Sequence, residues 1–142
     1  MKYIKSKNLG TYQHGFFSRI GGVSGSYFNS LNCGYSSSDD SKNIKKNRML
    51  ILNQFNLDIE KLVVPEQFHS NKIKVFKTNQ KNYKCDGIIN TISGIALGVL
   101  TADCCPILIG HKKKKLTGVI HAGWKGVQSG IIENFILQVT EL

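Results

Sequence analysis

Between Ile107 and Val139 the apolar residues change their period once, and that change limits what the chain can become. Ile107-Leu108-Ile109 and the stretch from Leu116 to Ile120 read as strands flanking Gly110-His111-Lys112-Lys113-Lys114-Lys115, a hairpin with a charged tip. After Gly123 the spacing lengthens, and Trp124, Val127, Ile131, Phe135 and Val139 fall about one helical turn apart. Strand and helix periods therefore share one continuous segment. Gly126 and Gly130 weaken the helix or let another group approach its first turns closely. The stripe is still running at Leu142, with no Gly or Asn C-cap.

Upstream the elements are shorter. Phe16-Phe17-Ser18 reads as a strand at the head of a loop-rich region over 15–38, with Gly21, Gly22, Gly25 and a Ser36-Ser37-Ser38 run. Asp39-Asp40-Ser41 supplies N-cap chemistry, and Ile44, Ile51, Leu52 and Phe55 follow at helical spacing, which predicts a helix over 41–54. Leu62-Val63-Val64 predicts a strand ended by Pro65. Ile73 and Val75 alternate with lysines as in a half-exposed strand, and Gly87-Ile88-Ile89 predicts another short one. Ile95 to Thr101 is apolar almost throughout and predicts a fully buried strand.

The chain has 142 residues, 41% apolar and 20% charged, with no internal repeat and no linker, so one domain over 1–142 is expected. No run of about 18 apolar residues occurs, which predicts no membrane span. Met1 to Lys7 is basic but no apolar run follows, so no secretory signal is expected and a cytoplasmic setting is. Of the four cysteines, Cys104 and Cys105 are adjacent. Without an export signal, free thiols or a metal site are expected rather than two disulfides. No CxxC pair is present, which excludes a zinc-finger or thioredoxin-type motif.

The formal charge of +10 makes nucleic acid the first partner to consider. Its distribution argues otherwise. Of nineteen basic residues only Arg19 and Arg48 are arginine; the lysines are scattered from Lys2 to Lys125, with one run at the hairpin tip, and no recognised nucleic-acid motif interleaves them with aromatics. A solvated lysine-rich surface is expected, with no nucleic-acid partner. Where the chain otherwise writes lysine, the two arginines mark positions where a planar, bidentate fork is wanted.

The residues able to do chemistry gather at strand ends. His69 follows Pro65-Glu66-Gln67, Asp103 and Cys104 follow the apolar run, and His121 ends the second hairpin strand before Ala122-Gly123-Trp124-Lys125-Gly126. Two imidazoles and one thiolate make a three-ligand zinc set with a fourth position open, although spacings of 35 and 17 residues match no local motif. The same atoms allow a second reading: Cys104 as nucleophile, His121 as base, and Asp103 or Asp86 as orienter. Composition does not separate the two. Cys105 is expected to face away from its neighbour, because adjacent strand side chains point to opposite faces.

His14-Gly15-Phe16-Phe17-Ser18-Arg19-Ile20-Gly21-Gly22-Val23-Ser24 resembles the N-terminal signature of the YfiH/DUF152 family. Further matches follow in order: Asn43 to Arg48, Gln67-Phe68-His69-Ser70, Cys85-Asp86-Gly87, Thr101-Ala102-Asp103-Cys104-Cys105-Pro106 and His121-Ala122-Gly123-Trp124-Lys125-Gly126. Members of this family were long labelled polyphenol oxidoreductases or laccases and are now read as purine nucleoside phosphorylases. The resemblance implies an α/β (α+β) fold of mixed β-sheets flanked by helices, related to the CNF1-type cysteine hydrolases. It implies zinc held by His69, Cys104 and His121. From the residues themselves, Cys104, His121 and Asp103 are the expected catalytic set. The implied reaction is phosphorolysis of adenosine, inosine, guanosine and methylthioadenosine, with adenosine deamination beside it. Arg19 and Arg48 are the expected phosphate or substrate contacts, and the non-catalytic alternative is a zinc-binding fragment. Family members are considerably longer, so this chain is expected to be the N-terminal portion of such a domain. The older copper label fits poorly, since multicopper oxidation needs many histidine ligands and the chain has four histidines.

Overall fold

The computed structural model describes residues 1–80 and 82–142. These fall into two compact units, Met1–Lys61 and Leu62–Leu142. In chain order the elements are β1 (Tyr3–Ile4), β2 (Phe16–Phe17), α1 (Ser41–Asn53), β3 (Leu62–Val63), β4 (Ile73–Val75), β5 (Gly87–Asn90), β6 (Ala96–Leu97), β7 (Cys105–His111), β8 (Leu116–Ala122), α2 (Trp124–Gln128) and α3 (Ile131–Glu141). Mixed sheets and a few helices make this an α+β fold, as the resemblance implied.

In the first unit β1 and β2 pair antiparallel, Tyr3 opposite Phe17, and the two rings stack at 4.7 Å between centroids. Helix α1 starts where its capping chemistry predicts: Asp40 is the N-cap, and its carboxylate accepts from the Lys42 N–H at 2.8 Å. Its inner face buries Ile44 and Leu52, and with them a polar residue, Asn47. The Asn47 amide donates to Ser24 Oγ, Ser30 O and Asn32 O and accepts from the Val23 N–H, so this helix side chain pins the glycine-rich loop. Gly22 is required there, since a Cβ would run into Ser30 O, Asn47 Oδ1 and Leu31 Cα.

In the second unit four strands form a mixed sheet in the order β4-β5-β8-β7; β4 and β5 run parallel and the other pairs antiparallel. The hairpin β7–β8 is the predicted one, with the lysine run at its tip. Alternation splits the sheet's residues between two cores. Ile73, Ile89, Leu116, Ile120 and Ala122 pack with Ile131, Phe135 and Val139 of α3. Tyr83, Cys85, Ile88 and Val119 form the other core, lined by the half-buried Val63, Leu97 and Val99. Each fully buried Ile or Phe contributes about 1.5–3 kcal/mol, so these two cores hold the sheet. Gly118 has no side chain because the Phe135 ring occupies the place of its Cβ.

Two expectations are corrected. The run from Ile95 to Thr101 is not a fully buried strand: only Ala96–Leu97 pairs, parallel to Leu62–Val63, and the segment is half-buried with Thr101 exposed. The C-terminal helix is two helices, because Gly130 takes a left-handed φ of 82° and turns the chain between them. Ile131, Phe135 and Val139 are buried as the stripe predicts, whereas Trp124 is 69% exposed and Val127 is also exposed. Among the described residues no helix is long and apolar enough to cross a membrane.

Candidate metal site

Three segments of the second unit carry the candidate ligands. His69 lies in the loop after β3, with a left-handed φ of 61° that is uncommon outside glycine. Cys104 immediately precedes β7, and His121 is the penultimate residue of β8. One ligand atom from each lies within 4.8 Å of the others, and His69 Nε2 is 3.8 Å from Cys104 Sγ. The imidazoles of His69 and His121 meet edge to face at 4.8 Å. A tetrahedral zinc with Zn–N near 2.05 Å and Zn–S near 2.3 Å needs ligand atoms about 3.3–3.6 Å apart, so the trio is assembled but has room to tighten.

The two histidines share an anchor. Asp86, at the head of β5, has no exposed surface. Its carboxylate accepts from the backbone N–H groups of Phe68, His69 and Ser70, from Ser70 Oγ at 2.7 Å and from His121 Nδ1 at 2.8 Å. Its carbonyl accepts the His121 N–H at 2.7 Å. Burial pushes the Asp86 carboxyl up, but hydrogen bonds from His121, Ser70 and His69 outweigh it and hold the group below its ordinary value of 3.8. With Nδ1–H bound to a carboxylate, His121 presents Nε2 as its free lone pair, the arrangement usual for metal-bound histidine.

The third segment is tied in by Gln67. Its amide donates to Leu100 O at 2.7 Å and accepts the Leu100 N–H at 2.8 Å, fastening the His69 loop to the chain just before Cys104. The floor of the site is Gly123, where a Cβ would lie 2.8 Å from the His69 ring, 3.3 Å from Cys104 Sγ and 3.6 Å from the His121 ring. Gly126 is needed for the same kind of reason, since its Cβ would meet Ser70 O at 2.8 Å. Two imidazole nitrogens and a sulfur, with a carboxylate behind one ring, suit a borderline-soft divalent ion such as zinc. A cavity of about 550 Å³ opens beside Cys104, lined by Asp103, Cys105, Ala122, Trp124, Val127 and Gln128.

The remaining candidates separate. Asp103 is exposed and accepts from the Cys104 thiol at 3.6 Å; desolvation and the Asp103 charge push that thiol upward. Cys105 is exposed at the start of β7 and is not one of the three candidate ligands, although it lines the same cavity as Cys104. Arg19 and Arg48 lie in the first unit. Arg19 Nε donates to Asn29 O at 2.8 Å and Arg48 Nε to Cys33 O at 2.9 Å, and the Arg48 guanidinium stacks 4.5 Å from the Tyr35 ring centroid. Among the described residues neither arginine pairs with a carboxylate. Gln67 and Gly123 were not singled out as site residues by sequence, and Asp86 only as one of two orienters. The available signal for Asp86 was a lone carboxylate between a cysteine and a wholly apolar strand, Gly87-Ile88-Ile89.

Fold and site together define an α+β protein with one His-Cys-His candidate metal centre among the described residues. Residues 13–142 match the family described as multi-copper polyphenol oxidoreductase laccase, and the chain belongs to that family. It is 34% identical over 131 residues to a purine nucleoside phosphorylase of Corynebacterium glutamicum, covering 89% of this chain and 53% of the relative. It is also 34% identical over 139 residues to the purine nucleoside phosphorylase YlmD of Bacillus subtilis, covering 89% and 49%. The crystal structure of the Bacillus licheniformis hypothetical protein YfiH superposes with a TM-score of 0.79 at 28% identity, over 82% of this chain and 48% of that one. The chain thus spans about half the length of the relatives it matches. The other two histidines lie outside the trio: His14 is hydrogen-bonded to Ser6 and Tyr12, and His111 accepts from the Lys114 N–H.

Proposed function

We propose that this chain is the metal-holding part of a purine nucleoside phosphorylase, with zinc bound by His69, Cys104 and His121. The observation that carries the reading is the convergence of these three donors over Gly123, with Asp86 behind both histidines. The names of the relatives supply the reaction class. Phosphate attacks the anomeric carbon, the glycosidic C–N bond breaks, its electron pair leaves with the purine, and ribose 1-phosphate and free base result. The substrates we assign are adenosine, inosine, guanosine and methylthioadenosine, with adenosine deamination as a second reaction. Zinc held here would supply Lewis acidity toward the negative charge that develops on the departing purine.

The chain's own residues do the rest. Asp86 fixes the tautomer and direction of His121. Asp103, Cys104 and His121 are the residues we assign to the chemistry. Arg19 and Arg48 each spend only Nε on a backbone carbonyl, so among the described residues the outer guanidinium nitrogens are left for phosphate oxygens. The four cysteines are free, which suits a reducing, cytoplasmic compartment. The scattered lysines favour neither nucleic acid nor membrane as a partner.

The second reading, Cys104 as a nucleophile activated by His121, draws on the Asp86–His121 pair, which would be the base and orienter of a triad. One experiment addresses both readings. Zinc-loaded chain is incubated with inosine in phosphate and hypoxanthine release is followed, before and after a chelator and after zinc is restored. Phosphate-dependent release that follows the metal supports the proposal. Absence of such release from zinc-loaded protein completed with the remaining half of the Bacillus subtilis relative overturns it, and rapid iodoacetamide labelling of Cys104 with zinc bound would favour the cysteine hydrolase.

A further inference from the structure

We infer that Asp86 is the positioning residue of the metal centre: it holds both histidines in place ahead of the ion. The inference rests on the metal-site reading above. Its basis is where the carboxylate's hydrogen bonds come from. Among the described residues every donor to Asp86 belongs to one of the two histidine-bearing segments: the N–H groups of Phe68, His69 and Ser70, the Ser70 hydroxyl, and the His121 ring. A buried carboxylate serving only the fold has no reason to draw all its donors from two ligand segments.

The consequence for His69 is specific. Its φ of 61° is unfavourable for a side chain with a Cβ. Three consecutive N–H groups aimed at one carboxylate offset that cost and set the direction in which the ring leaves the backbone. For His121 the same carboxylate fixes the Nδ1–H tautomer. Cys104 is tied in through its segment by the Gln67–Leu100 bonds, and among the described residues its thiol is hydrogen-bonded to His69 Nε2 at 3.8 Å and Asp103 Oδ1 at 3.6 Å. The three donor atoms lie within 4.8 Å of one another, wider than a tetrahedral ion needs, and Asp86 holds the backbone of one histidine and the ring of the other while they close.

The test compares wild-type chain with Asp86→Asn. Asparagine keeps the shape, but turns an NH₂ group toward N–H donors. Zinc affinity is measured by competition with a chromophoric chelator, and folding by circular dichroism and thermal unfolding of the metal-free forms. Cobalt(II) replaces zinc for visible spectra, whose ligand-field bands report the geometry of the bound fraction. A folded Asp86→Asn should bind zinc about 10–100-fold more weakly. Its cobalt bands should shift, which a merely structural role would not cause. A folded variant with wild-type affinity and an unchanged cobalt spectrum overturns the inference. If Asp86→Asn does not fold, Ser70→Ala decides: it removes one hydroxyl donor and should weaken zinc a few-fold, and unchanged affinity overturns the inference. A wild-type chain that binds no zinc refutes the metal reading itself, and this inference with it.

Discussion

Replacing Gly123 with alanine tests whether the site is built to the tolerance its geometry implies. The new methyl would sit 2.8 Å from His69 Cδ2 and 3.3 Å from Cys104 Sγ, while carbon–carbon contacts ordinarily begin near 3.4–3.5 Å. The His69 ring must then move by about 0.6 Å, beyond the ~0.5 Å within which a functional constellation has to be held. The backbone raises no objection: Gly123 has φ −73° and ψ 155°, ordinary for alanine. Alanine is the poorer N-cap for α2 by up to about 1 kcal/mol, and the loss of glycine's freedom in the unfolded chain returns about 0.4–1 kcal/mol. The metal-free protein should therefore unfold within about 1 kcal/mol of wild type in urea. Overpacking costs about 1–3 kcal/mol, and if displaced ligands bear it, zinc binding weakens about 5–150-fold. Chelator competition reads the affinity, and urea unfolding of the metal-free form reads the fold. Wild-type zinc affinity in a folded Gly123→Ala would refute the reasoning, because a methyl at that point could not then be crowding ligands.

Two other outcomes follow from groups away from the ligands. Lys114 Nζ donates to Val139 O at 2.7 Å and Thr140 O at 3.2 Å, so one lysine of the hairpin tip caps the last turn of α3. Lys114→Ala should cost about 0.5–1.5 kcal/mol in urea unfolding, while Lys113→Ala, whose side chain makes no such bond among the described residues, should cost nothing measurable. Burial raises the Cys85 thiol from its ordinary 9.0 to about 11. A raised folded value means that its contribution to stability is whole below pH 9 and is lost as pH climbs toward about 11. Iodoacetamide at pH 8 should label the exposed Cys105 and spare Cys85; labelling of both in the folded state would contradict this.

Local chemistry made some elements legible in the sequence. Asp40 ahead of Ile44 and Leu52 marks helix α1 to within a residue of its end, because a cap and a helical spacing are properties of neighbours. The β7–β8 hairpin is visible for the same reason: two apolar strands around a charged tip bring each other into register. Residue types also pointed to His69, Cys104 and His121, since few other side chains can hold a borderline-soft ion. Gly130 was visible as a weak point, but the break there was not, because Val127 and Ile131 keep a four-residue spacing across it and a positive φ leaves no trace in that spacing.

Tertiary structure decided the rest. Apolar content alone could not reveal that the run after Ile95 pairs over only two residues, since pairing depends on where Leu62–Val63 lies. Asp86 and Asp103 looked alike as orienters. One became the anchor of the site and the other stayed exposed beside the thiol, because a buried carboxylate is tolerated only where donors converge on it, and those of Asp86 come from residues 68–70 and 121. The empty position of Gly123 under the three candidate ligands likewise exists only once β7, β8 and the His69 loop have met. Sequence determined which atoms could bind an ion; folding determined which carboxylate aims them, because long-range hydrogen bonds have no local signature.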